Sequence, residues 1–204
     1  MPAETIIEVV NINDPEALRA VVDETGISDA SKADRIASAT RRTITEKMEE
    51  DPALYRRFSE MLEQTIREYR EKRISEKDYL NNIVDLASKV ARRDHGRAVP
   101  ASLKSNDDAQ AFYGLLQPVL SRSGIGQDAE EAAAEIALKL IEIVKAHHIV
   151  GVWSNDIAQN NMHNAIDDYF FDILRDEKGI ELPLDDIDKL EGQIMDVARA
   201  RFPA

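Results

Sequence analysis

Apolar residues recur at three- and four-residue steps through most of this chain, the spacing that lines one face of an α-helix. The pattern is cleanest from Pro52 to about Lys72, where Leu54, Tyr55, Phe58, Met61, Leu62, Thr65, Ile66 and Tyr69 share a face. Upstream, Asp14-Pro15 opens a short helix through Asp23, with proline in the first turn where its missing N–H does no harm, and Gly26 ends it. A longer helix from Asp29 to about Glu50 carries Ile36, Ala39, Thr40, Thr43, Ile44 and Met48, and Asp51-Pro52 stops it and starts the next. Ser75, with Asp78 three residues on, is a capping signal for a fourth helix striped by Tyr79, Leu80, Ile83, Val84, Ala87 and Val90. The short link at residues 73–75 predicts an antiparallel hairpin of the third and fourth helices. On the outer face of the third, Glu63 and Arg67 stand in the favourable i, i+4 ion-pair order.

The second half continues in the same way. Asn106 caps a helix through Phe112, Leu115 and Leu116, which Pro118 is expected to kink or to end near Gln117. Residues 121–127 read as a turn, and Asp128 to about His147 as a helix facing inward through Ile136, Leu140, Ile143 and Val144. The stretch 152–174 holds the only tryptophan, and Ser154 or Asn155 supplies its N-cap. Ala158, Met162, Ala165, Ile166, Tyr169 and Ile173 form its apolar face. Residues 179–183 read as a loop, and Asp185 to Arg201 as a last helix turned inward at Ile187, Leu190, Ile194, Val197 and Ala198. The β-branched run at residues 5–10 suits a short strand or an extended arm, and its one candidate partner strand is residues 149–153. The expected fold is therefore all-α: roughly eight helices in a multi-helix domain with a short extended N-terminal arm, a division into two lobes near residue 100 being left open. The boundaries expected are residues 1–27 for the arm and first helix, and 28–204 for the helical domain, with an internal break at 92–105.

One residue departs from this regularity. Asn160, Asn164, Asp167 and Phe171 form a row roughly opposite the apolar face, and Phe171 is an aromatic ring within that polar row. Either a second layer of this protein covers it, the last helix being the candidate, or another protein does. The partner-facing reading takes in Trp153, Asn160, His163, Asn164, Asp167 and Phe171.

Charge narrows the choice of partner. The net charge is −13, and the half from Ser105 to Ala204 has 8 basic and 19 acidic residues against 18 and 20 in the first half. A protein that grips DNA mainly through phosphates needs the opposite balance, so the acidic half suits a basic protein surface or serves solubility alone. The basic stretch is confined to residues 89–104, where Arg92, Arg93, Arg97 and Lys104 are the candidate DNA contacts and where Gly96 and Pro100 predict a protease-sensitive loop. No apolar run reaches the roughly 18 residues that span a bilayer, and the absence of cysteine excludes disulfides and thiolate metal sites. A reducing, cytoplasmic setting is the expectation.

Candidate chemistry is sparse. Gly124-Ile125-Gly126 lacks the following lysine of a phosphate-binding loop. His147 and His148 are adjacent and diverge by about 100° on a helix. His163 and Asp167 share a face at i, i+4 but have no third ligand in view, so a surface hydrogen bond is the better reading. Asp176-Glu177-Lys178 has the letters of a nuclease motif, at a helix end rather than on a strand. No catalytic residue, cofactor site or metal site is assigned.

Three stretches in order, FSEMLEQTIREYREKRISEKDYLNNIV (58–84), NDDAQAFYGLL (106–116) and WSNDIAQNNMHNAIDDYF (153–170), resemble the C-terminal helical domain of the motor (R) subunit of type I restriction enzymes. ATRRTITEKMEEDPALYRRF (39–58) is similar to the segment that enters that domain. The resemblance implies a part of a machine whose other regions are a nuclease domain and two RecA-like ATPase domains. The full-length subunit is an ATP-dependent type I deoxyribonuclease; this chain would be its isolated, non-catalytic C-terminal fragment, with residues 5–10 the tail of the motor. The helical region would dock the motor onto the methyltransferase and specificity subunits, with any DNA contact weak or indirect and no membrane involved. Two departures stand out: Gly151-Val152-Trp153 where relatives carry an acidic residue before tryptophan, and His163 where they often carry arginine. The alternatives are a DNA-path module using residues 89–104, and an independent helical protein, either an interaction domain or an enzyme with a hidden site.

Overall fold

The structure is a computed structural model that describes residues 10–94, 96, 99–123 and 129–203. All regular structure among the described residues is helical: α1 (Pro15–Asp23), α2 (Asp29–Lys47), α3 (Pro52–Arg70), α4 (Glu76–Arg92), α5 (Asp107–Arg122), α6 (Ala129–His147), α7 (Asp156–Asp168) and α8 (Leu184–Arg201), with 3-10 turns at Ala101–Leu103 and Val152–Ser154 and a π-helix at Tyr169–Glu177. The all-α expectation holds. Of the candidate strand at residues 5–10, all but Val10 lies outside the described residues, and its candidate partner is a turn leading into the 3-10 segment at Val152–Ser154.

The chain divides into two compact units, Met1–Met48 with Leu54–Gly96, and Glu49–Ala53 with Arg97–Ala204. In the first unit the cap signals at Asp14 and Ser75 act as read, their side chains accepting bonds from the N–H groups of Glu16 and Asp78, and Ser28 caps α2 in the same way through the N–H of Ser31. Within this unit the most extensive helix contact is α2 with α4, while α3 and α4, which the short link joins, touch over a smaller area. Small residues decide this, because Ala33, Ala37 and Ala87 are buried and let the two backbones approach. α3 meets α4 through the stacked rings of Tyr69 and Tyr79, 4.4 Å apart, and Tyr79 also donates its hydroxyl to Asp34 of α2 at 2.9 Å. Glu63 does not pair with Arg67; it binds Arg41 of α2 at 2.7 Å. α2 ends at Lys47, three residues before the sequence suggested.

In the second unit α5 packs most closely on α6, while α8 touches both α5 and α7. Pro118 does not end α5, which runs on to Arg122. Leu115, Leu116 and Leu120 are buried around the proline, and Gln117 donates to Ser121 across it at 3.0 Å, so packing holds a turn that lacks one backbone donor. Gly114, whose carbonyl the proline cannot bond, lies where an added Cβ would sit 2.8 Å from the Cβ of Ala53. Arg201 of α8 closes this unit: it donates to Asp108 of α5 at 2.7 Å and to the Glu50 carbonyl at 3.0 Å.

Candidate functional site

The site builds from the start of α7. Gly151 takes a left-handed conformation (φ 75°) that turns the chain into the 3-10 segment. Asn155, rather than Ser154, is the cap, accepting bonds from the N–H groups of Ile157 and Ala158. Trp153 is half-buried, and its indole N–H donates to the Phe202 carbonyl at 2.6 Å. His148 Nε2 meets the same carbonyl at 2.9 Å, and since a carbonyl only accepts, that nitrogen carries the proton. His147 turns to the Ile143 carbonyl instead, so the two adjacent imidazoles serve different partners. Arg199, bound to Gln159 at 2.9 Å, lies over the Trp153 ring at 5.4 Å.

Beyond the first turns the helix changes pitch. Ala158, Met162, Ile166, Phe170 and Leu174 are buried, a stripe that steps by four each time. An α-helix of 3.6 residues per turn drifts off such a stripe, and the wider π-helical turn at Tyr169–Glu177 rewinds the drift. Tyr169 stays in the core as read, but Ala165 and Ile173 are only half-buried, and Phe170 and Leu174 hold the positions that the α-helical period misassigned.

On the other side of α7, Asn160, His163 and Asn164 are exposed and Asp167 is half-buried. His163 Nε2 lies 3.4 Å from Oε2 of Glu191 on α8, whose side chain is only 5% exposed. Burial pushes the Glu191 carboxyl up to about 7, and the neighbouring carboxylates of Asp167 and Asp188 push it the same way. The Oε1 of Glu191 is buried without a hydrogen-bond partner. Glu191 was overlooked in the sequence, although its place four residues after Ile187 and three before Ile194 puts it on the apolar stripe of α8. Among the described residues no group of three or more His, Asp or Glu side chains could hold a metal ion.

Phe171 packs at the edge of the core, half-buried, with the Arg175 guanidinium 4.9 Å from its ring centre. It borders an open cleft of about 240 Å³ between the π-helix and the following loop, with Leu174, Ile180, Leu182 and Leu184 among the other walls. Of the candidate DNA contacts, Arg92 is the exposed last residue of α4 and Arg93 its left-handed cap (φ 54°), both in the first unit, whereas Lys104 is exposed in the second. Arg97 lies outside the described residues.

No helix among the described residues is long and apolar enough to cross a membrane. Comparison with curated proteins, and separately with solved structures, finds no match to this chain. Residues 31–195, from the first turn of α2 into the last turns of α8, match the family model described as Type I restriction enzyme HindI endonuclease subunit-like, C-terminal. The match takes in most of the described helices of both units, so the chain belongs to the family of C-terminal domains of type I restriction enzyme endonuclease subunits.

Proposed function

We propose that this chain is a non-catalytic assembly module, docking the DNA-translocating, ATP-dependent endonuclease subunit of a type I restriction enzyme onto its methyltransferase and specificity subunits. The observation that carries the reading is the construction of the α7–α8 face. One side of α7 is fixed in the core, while Asn160, His163 and Asn164 are displayed to solvent beside the half-buried Asp167 and Phe171. A helix anchored on one side and polar on the other, next to an apolar cleft, offers the mix of polar rim and apolar anchor that protein interfaces use. The excess of acidic residues in the second half favours a protein partner over nucleic acid.

The test is reconstitution. The 204-residue chain, mixed with the methyltransferase–specificity core of its own restriction system, is expected to co-migrate with it and to compete with the full endonuclease subunit for assembly. Absence of any complex at micromolar concentrations sinks the proposal. Binding to duplex DNA that falls steeply with salt, and that is lost in the Arg92→Ala/Lys104→Ala double variant, supports the DNA-path reading instead.

A further inference from the structure

The cleft beside Phe171 has a volume, a lip and a charge that together specify an occupant. At about 240 Å³ it falls below the roughly 300–1,000 Å³ of sites that enclose a small-molecule ligand, and it is the right size for one or two side chains. Its walls are mostly apolar, from Phe171, Leu174, Ile180 and Leu182, with Arg175 and Glu181 the charged residues of the lining. Leu184, on its lip, is 64% exposed, which for a leucine at the start of a helix leaves a large apolar surface without cover.

The surroundings are anionic. Residues 172–186 contain six carboxylates and two cations. Both cations are engaged: Arg175 binds Asp176 at 2.8 Å and Lys178 binds Glu135 at 2.9 Å. Arg175 also feels the carboxylates of Asp172 and Glu181, and its guanidinium is held against the Phe171 ring. An apolar pocket with such a rim rewards an apolar anchor carried on a basic segment and repels an acidic one.

We propose that this cleft is the socket for a basic segment of the partner protein, a stretch that inserts one bulky apolar side chain between Phe171 and Leu184 and sets lysines or arginines against Glu181, Asp172 and Asp185. The inference rests on the docking reading above and gives it a place and a chemistry. The carboxylates speed encounter and fix orientation, while the buried anchor sets the lifetime of the complex.

Two exposed substitutions test it without touching the core. Leu184→Ser removes the apolar lip and leaves the charge unchanged; Glu181→Lys reverses one rim charge in a loop. In titrations of the methyltransferase–specificity core with the 204-residue chain, Leu184→Ser is expected to weaken binding about tenfold. Glu181→Lys is expected to weaken it about threefold at low ionic strength and to flatten its dependence on salt. Unchanged melting of both variants shows that the fold is kept. Wild-type chain that binds the core with both variants binding equally well overturns the socket and leaves the docking reading standing; failure of the wild-type chain to bind overturns both. Self-association of the wild-type chain that Leu184→Ser abolishes makes a second copy the occupant and overturns the assignment to a basic partner.

Discussion

His163 and Glu191 face each other across α7 and α8 with 3.4 Å between Nε2 and Oε2, one residue exposed and the other almost wholly buried. The buried partner is the one whose proton matters. Glu191 is raised from 4.5 to about 7 in the folded chain, so between those values the folded state holds a proton that the unfolded state has lost. Stability is therefore highest below the unfolded value, declines as pH rises through this window, and levels off above about 7.

Glu191→Gln is expected to remove that decline, because the amide keeps the size and polarity of the side chain without the ability to ionise. Thermal melts of the wild-type chain should fall by a few degrees between about pH 5 and pH 8, and those of the variant should not. Asp167, Asp188 and His163 face the same carboxyl and are unchanged in the variant, so the difference between the two slopes isolates Glu191. Parallel slopes for the two proteins sink the assignment.

Phe170 and Phe171 are neighbours with unequal roles. Phe170, 2% exposed, is expected to cost about 3–5 kcal/mol when truncated to alanine. Phe171 is half-buried, and its loss should cost about 1–2 kcal/mol of stability, since only part of its surface is removed from water. Chemical denaturation of both variants checks the ratio; equal losses would place Phe171 wholly in the core.

Arg201→Ala strips two partners at once, the Asp108 carboxylate and the Glu50 carbonyl. The arginine side chain is only 7% exposed, so water replaces these bonds poorly, and a loss of about 1.5–3 kcal/mol is expected in urea titrations. Arg201→Lys should recover a part only, because one ammonium lacks the fork that reaches both groups.

Gly114→Ala ought to favour a helix by about 1 kcal/mol. The new methyl would meet the Cβ of Ala53 at 2.8 Å, and neither group can rotate away. A net destabilisation of about 1–3 kcal/mol is expected, relieved in the Gly114→Ala/Ala53→Gly double variant.

The helix faces and the caps at Asp14, Ser75, Asn106 and Asn155 were legible in the sequence because each cap bond closes within three residues. Pairings that span the chain left no such local trace. Nothing near Arg201 in sequence points to Asp108, and Glu63 had a plausible local partner in Arg67 that lost to Arg41 on another helix. The continuation of α5 past Pro118 depends on tertiary burial, which outweighs a local breaker. At the candidate site, Asn160, His163 and Asn164 could be named from helical period alone, but Glu191 could not be joined to them until α7 and α8 were placed side by side. Reading past Tyr169 at 3.6 residues per turn assigned Ile173 to a core position that Leu174 occupies.

The four-residue step from Ala158 to Leu174 makes this part of the chain a reading frame, sensitive to length more than to letters. Exchanging one buried hydrophobe for another of similar size disturbs a single position. Deleting one residue between Tyr169 and Leu174 shifts every later side chain by one place, turning Leu174 and the cleft wall behind it away from the core. Natural variation in this segment should therefore be rich in substitutions and poor in single-residue gaps.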